Sequence, residues 1–343
     1  MTWIAWRYQR SVACALALLA LVIIVFTVVT GVIQHHDMVE FMGPPCRGGE
    51  LITRAPRDYC GLLSLRYAQV VNYDIYIKVA GYVIAPLVGA VLGLLALVSE
   101  LDHRTVRLAW TQSISPTRWF MTKVAVGAIS VAIILVPTAI ALSWWNGTIG
   151  EKDVLNTQYF GIAGWDLVAY GLFMFALTIL LGVVIRRTGW TLAAALLLFL
   201  VVGIFVPKQV REHLVTPTVH WYSVTATVGV KGAVTYSVAF PRSAWLLVNG
   251  ALPRSTVGTP TWNEVMDSQV KIESCTEKFP QKNQREWVTA ETVCYRRLRV
   301  ENVSVYISPN KFWTLQLREG LLYLAFGTVL LGGAWACVRR IEP

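Results

Sequence analysis

Six runs of apolar residues, each about as long as a bilayer is thick, decide most of what this chain can become. They cover residues 11–33, 75–99, 121–145, 166–185, 190–206 and 317–338. At 1.5 Å rise per residue, ~20 helical residues cross the ~30 Å hydrocarbon layer. Run length separates such segments from the shorter apolar helices of a soluble core. Composition agrees: 55% of residues are apolar and only 15% charged, where a soluble domain carries roughly a quarter charged. The mean hydropathy is +0.53. The expected fold is an all-α membrane domain of six transmembrane helices, the fifth of them the shortest.

Lysine and arginine in the short segments set an expected orientation. Arg7 and Arg10 precede the first run, and Arg104, Arg107, Arg118 and Lys123 follow the second. Arg186 and Arg187 fill the turn between the fourth and fifth, and Arg339 and Arg340 follow the sixth. With alternating helices all of these lie on one side, which the positive-inside rule makes cytoplasmic, so both termini are expected inside. Arg47, Arg54, Arg57 and Arg66 on the opposite side weaken the contrast without reversing it. The first run is too long for a cleaved leader, and no small-x-small site follows it. Trp3, Trp6, Trp119, Trp144, Trp145, Trp165, Trp190 and Trp313 fall at the expected helix ends, where amphipathic aromatics settle.

This topology divides the chain into helices 1–5 (residues 1–206), a large outer segment (207–316), and helix 6 with a cytoplasmic tail (317–343). Cys46, Cys60, Cys275 and Cys294 all fall in outer segments, where an oxidising compartment permits disulfides. Pairing Cys46 with Cys60 and Cys275 with Cys294 closes two short loops; cross-pairing between the segments is the alternative. Residues 221–230, 233–240 and 292–300 are rich in Val, Thr and Tyr and read as strands, with residues 250–260 as Gly- and Pro-rich punctuation. The outer segment is therefore expected to be a β-containing, disulfide-stapled extracellular cap. In the first outer loop, residues 35–74, a surface helix is expected over 58–69.

No catalytic centre is legible. The chain lacks G-x-x-x-x-G-K-[ST], H-E-x-x-H and G-x-S-x-G, so neither a phosphate loop nor a metalloprotease or hydrolase centre is expected. His35, His36 and Asp37 form the one histidine cluster and read as a solvated juxtamembrane turn. The net charge of +10 flanks membrane segments, which points to lipid headgroups rather than nucleic acid. Residues 80–98, 124–150 and 167–185 contain no Asp, Glu, Lys or Arg. Ion-coupled carriers place ionisable groups at that depth, so movement of a substrate here calls for energy from a partner.

Residues 100–123 read ELDHRTVRLAWTQSISPTRWFMTK. They resemble the first cytoplasmic loop of ABC-2 type exporter permeases, with Glu100, Thr105, Leu108, Pro116, Arg118 and Lys123 at the motif positions. The R-L-A-W-T-Q-S centre is similar to permeases of the actinomycete type. Residues 309–319 (PNKFWTLQLRE) resemble the P-x-x-F-W-x-x-Q-x-x-E entry to the last helix, although Arg318 stands where a less charged residue is expected. Residues 211–217 (REHLVTP) fit more loosely. The resemblance implies a bacterial plasma-membrane permease subunit that itself hydrolyses nothing. It would work with a second permease chain and a separate ABC ATPase that binds ATP and Mg. Its coupling helix would use Glu100, Arg104, Thr105, Arg107, Leu108, Trp110, Pro116 and Arg118, the last turn stopped by Pro116. Glu319 becomes a candidate for translocation or gating, facing a cavity or pairing with Arg318. The competing function is an ATPase-linked sensor or immunity protein whose basic cap captures an extracellular peptide or antibiotic. A membrane enzyme or scaffold without any ATPase is the third class.

Overall fold

In the computed structural model, which describes residues 2–42, 74–98, 115–148, 155, 160–222, 226–228, 234–236, 244–253, 258–279 and 284–340, all six apolar runs are helical over their described length. The helices are α1 (Thr2–Met42), α2 (Asp74–Gly93), α3 (Pro116–Thr148), α4 (Trp165–Ile185), α5 (Thr188–Phe205), α6 (Trp262–Thr276), α7 (Gln284–Leu298) and α8 (Phe312–Arg339). The strands are β1 (Thr218–Tyr222), β2 (Ala226–Val228), β3 (Val234–Tyr236), β4 (Trp245–Pro253) and β5 (Val300–Ile307). Among the described residues, six helices are long and apolar enough to cross a membrane. The chain is a mostly helical multi-pass membrane protein. It divides into two compact units, Met1–Arg211 with Trp313–Pro343, and Glu212–Phe312.

The first unit holds α1–α5 and α8. Without a hydrophobic drive between helices in lipid, close association needs small residues at the contact. In α2 they recur every fourth position: Gly81, Ala85, Gly89 and Gly93 are all buried. This edge packs along α4. A Cβ on Gly89 would lie 2.3 Å from the carbonyl oxygen of Gly171, a separation no side chain tolerates. α1 packs similarly along α3. The turn between α4 and α5 is as tight as its two arginines suggest: Arg186 takes a left-handed conformation (φ 56°) and closes α4 by donating its N–H to Gly182.

Two helix ends depart from the sequence expectation. The first outer loop was expected to begin at His35, but α1 continues to Met42. Nothing between residues 32 and 42 breaks a helix, whereas Gly43, Pro44 and Pro45 do. The fifth span is also longer than its apolar run. Pro207 brings no N–H to the ladder, and the chain absorbs the missing bond in a π-helical turn, Val206–Val210, followed by a 3₁₀ turn, Arg211–His213. The fifth span therefore covers Thr188–His213, 26 residues, and the fourth, with 21, is the shortest. Residues 58–69, expected as a surface helix, lie outside the described residues.

The second unit is a mixed α/β body. β5 is central in the antiparallel order β1-β5-β4, with a bulge between Leu246 and Val248. Val248, Leu252, Val303 and Val305 form its buried core together with Val265 of α6. The β2–β3 hairpin forms a separate two-stranded sheet. Residues 292–300 overturn their strand reading. Thr292 to Leu298 complete α7, and β5 begins only at Val300, after Arg299 has turned through φ 54°. Ala290, Cys294 and Leu298 recur every fourth residue, and the first two are fully covered, so helical periodicity outweighs the β-branched content. Residues 250–253, expected as punctuation, end β4. Cys275 of α6 is bonded to Cys294 of α7, which removes the cross-paired alternatives. Cys46 and Cys60 lie outside the described residues.

Candidate functional site

The densest polar chemistry of the first unit lies where α4 begins, α5 ends and α8 begins. The P-x-x-F-W-x-x-Q-x-x-E entry explains itself there. Gln316 and Glu319 are three apart, hence on one face of α8, and both are fully buried. The Gln316 amide donates to the carbonyls of Phe160 (3.0 Å) and Ala163 (2.7 Å). Its Oε1 accepts the N–H of Trp165 at 2.9 Å, satisfying one of the donors that a helix start leaves open. Gly164, the residue preceding α4, sits at φ 66°, and a Cβ there would lie 2.3 Å from that same Oε1. Its N–H donates to Ser143 Oγ of α3 at 2.6 Å. One glutamine thus ties α8 to the start of α4.

One turn further, Glu319 is held by Arg211, the first residue of the 3₁₀ turn that closes the fifth span. Arg211 Nε donates to Oε2 at 2.6 Å and Nη2 to Oε1 at 2.9 Å, a bidentate pair. The hydroxyl of Tyr170, on α4, donates to Oε1 at 2.8 Å and accepts from Arg211 Nη2 at 3.3 Å. The guanidinium lies over the Phe160 ring, 4.3 Å from its centroid. Arg211 is 2% exposed and Glu319 0%. Ionised groups inside membrane spans survive only when paired and hydrogen-bonded, and the fork of arginine supplies the geometry. Asp166, in the first turn of α4, is also 0% exposed. Neither of its carboxylate oxygens has a hydrogen-bond partner among the described residues. Its Oδ1 lies against the first turns of α8, 3.4 Å from where a Cβ on Gly320 would stand.

Beside this cluster is a cavity of about 300 Å³. Gly81, Tyr82, Tyr170, Phe199, Arg211 and Tyr323 are among the residues that line it. The rings meet edge to face: Tyr170 and Tyr323 are 4.6 Å apart at their centroids, Tyr170 and Phe199 6.5 Å.

Of the residues singled out from sequence, Glu319 belongs to this cluster, although its partner is Arg211 and not the adjacent, exposed Arg318. Pro116 opens α3, and the Arg118 N–H donates to Ser115 Oγ at 3.4 Å. Lys123 stands over the Trp119 ring. Glu100, Arg104, Thr105, Arg107, Leu108 and Trp110 lie outside the described residues. The sequence reading missed Asp166, Tyr170, Arg211 and Tyr323 as a group. One signal was available: an acid and a base at the ends of apolar runs find each other, because lipid leaves them no other partner.

A family profile described as ABC-2 membrane transporter related matches residues 15–211. No curated protein and no solved structure matches the chain. The match takes in the five helices from α1 to α5 and ends on Arg211, and it covers more than half of the sequence; the chain belongs to the ABC-2 membrane transporter-related family.

Proposed function

We propose that this chain is the permease subunit of an ATP-driven ABC-2 type exporter, and the family match over residues 15–211 is the observation that carries the proposal. The family implies an ATPase partner in general. The spans supply a membrane path, and the ATPase supplies the energy through ATP and Mg bound on its own chain. The segment 100–118 is assigned to the contact, with Leu108, Ala109 and Trp110 as its apolar face and Arg104, Thr105 and Arg107 fixing register. Two permease chains, identical or paralogous, would enclose the path. In this reading both termini are cytoplasmic, the Glu212–Phe312 unit is external, and the cell is a bacterium of the actinomycete kind. The disulfide between Cys275 and Cys294 favours the external placement, since thiols stay reduced in the cytosol.

Mild detergent extraction from the native cell, followed by identification of stoichiometric partners, tests the proposal. An ATPase retained by the wild type and lost from Arg107→Glu/Trp110→Ala is the expected result. Absence of any ATPase under several mild conditions refutes it. An ATPase whose turnover answers to an external peptide, with no export measurable, would instead establish the sensor reading.

A further inference from the structure

We propose that the cavity bounded by Arg211 binds an uncharged, largely apolar molecule through one acceptor oxygen, such as a ketone or ester carbonyl, which takes up N–H groups that Arg211 leaves unbonded. The inference deepens the permease reading by naming a ligand class for this site. The first argument is a count of donors. A guanidinium carries five N–H groups. Nε–H and one Nη2–H donate to Glu319, and the other Nη2–H donates to Tyr170. The two on Nη1 have no hydrogen-bond partner among the described residues. Arg211 is 2% exposed and lines the cavity, so the open space beside its unspent donors is that cavity. A buried donor left unbonded costs free energy that an acceptor recovers, and a charged donor makes the stronger bond.

The second argument is what the walls exclude. Arg211 is the one charged residue among them, and its charge is already met by Glu319. An anion would enter with no free cation to receive it, and a cation would face the guanidinium. The other walls are apolar or aromatic, among them Gly81 and Ala85 of α2, Phe199 and Gly203 of α5, and Tyr323 of α8. A mostly apolar pocket with one placed polar group selects a ligand of the same make-up. Tyr82 and Gly203 are exposed as well as lining the cavity, so it opens on the flank of the helices between α2 and α5. A molecule dissolved in the bilayer reaches it from there. A volume of about 300 Å³ suits a ligand of two rings.

The test uses the full chain in phosphatidylcholine nanodiscs, without ATP or partner. Equilibrium dialysis against empty nanodiscs measures benzophenone, its isostere 1,1-diphenylethylene, in which a methylene replaces the carbonyl oxygen, and the anion diphenylacetate. Benzophenone should bind at least about tenfold more tightly than either. Gly203→Leu fills the cavity and should abolish that binding; a Cβ at this position meets nothing within 4 Å, so the variant folds. Tyr82→Phe and Tyr323→Phe each remove a hydroxyl from the wall and should leave the preference in place, because the donor is Arg211. Equal affinities for benzophenone and diphenylethylene, a preference for diphenylacetate, binding that survives Gly203→Leu, or a preference lost in either tyrosine variant overturns the proposal. The permease reading stands apart from that result, because ATPase co-purification decides it.

Discussion

Replacing Arg211 by methionine removes the cation whose guanidinium forks onto Glu319. The carboxylate keeps the Tyr170 hydroxyl as donor but loses both guanidinium bonds, the shorter at 2.6 Å. Removing one partner of a buried pair costs ~3–5 kcal/mol, because a charge stays behind without compensation. At ~2–4 °C per kcal/mol for a body of this size, thermal unfolding in nanodiscs should fall by roughly 10 °C. Glu319→Gln alone strands the arginine but keeps an acceptor for Tyr170, and should cost about half as much. The double variant Arg211→Met/Glu319→Gln should lie within about 1 kcal/mol of the wild type, since no charge remains and the Tyr170 hydroxyl still has its acceptor. The cycle then gives a coupling of ~4–7 kcal/mol, and ~1 M salt should leave it unchanged because both partners are shielded from solvent. If the two single losses simply add in the double variant, the pair does not act as a unit and the assignment of this cluster is wrong.

Further outcomes follow from other contacts. Gly89→Val forces α2 off α4 and should lower stability by ~1–3 kcal/mol in the same assay, whereas Gly189→Ala, with nothing within 4 Å of the new methyl, should not. Cys275→Ala/Cys294→Ala reopens a loop of sequence separation 19 and should destabilise the Glu212–Phe312 unit by ~3 kcal/mol, read as faster proteolysis within it. At the start of α6 the backbone and hydroxyl of Thr261 both donate to Glu264, which holds that carboxyl below its usual range. A depressed folded value stabilises above the unfolded pKa, ~4.3, and the contribution is lost as pH falls through the folded one. Protection of the amides in the first turn of α6, measured against the intrinsic exchange rate, should therefore fall below about pH 4 in the wild type, and Glu264→Gln should remove that pH dependence.

The spans were legible because a bilayer sets one length scale and the apolar runs report it directly. Their ends were less so: at Pro207 the tertiary structure trades an α-turn for a π-turn, and no local rule signals that exchange. α7 was hidden because Val293, Cys294 and Tyr295 favour a strand taken residue by residue, while the four-residue recurrence that decides the matter runs back to Ala290. Glu319 could be picked out as an acid entering a membrane helix, but its partner is 108 positions away. Asp166 begins an apolar run, so a search for charges within runs passes over it. The coupling segment rests on resemblance, because a short motif that seats against another chain carries its meaning in that chain.

The spans of this bundle also differ in length. Gln9–His36 and Pro116–Gly147 contain 28 and 32 residues, and they pack against each other; Asp74–Val98 and Trp165–Ile185 contain 25 and 21, and they pack against each other too. At 1.5 Å per residue the long pair measures ~42–48 Å and the short pair ~32–38 Å. The apolar runs inside them differ far less, 23 and 25 residues in the long pair against 25 and 20 in the short one. The extra turns of α1 and α3, which carry Arg10, His35, His36 and Arg118, are therefore polar continuations past a hydrocarbon layer of one thickness. A span that continues as helix stays stiff where a loop would bend, so a displacement at the end of either long helix is carried into the bundle as a lever movement.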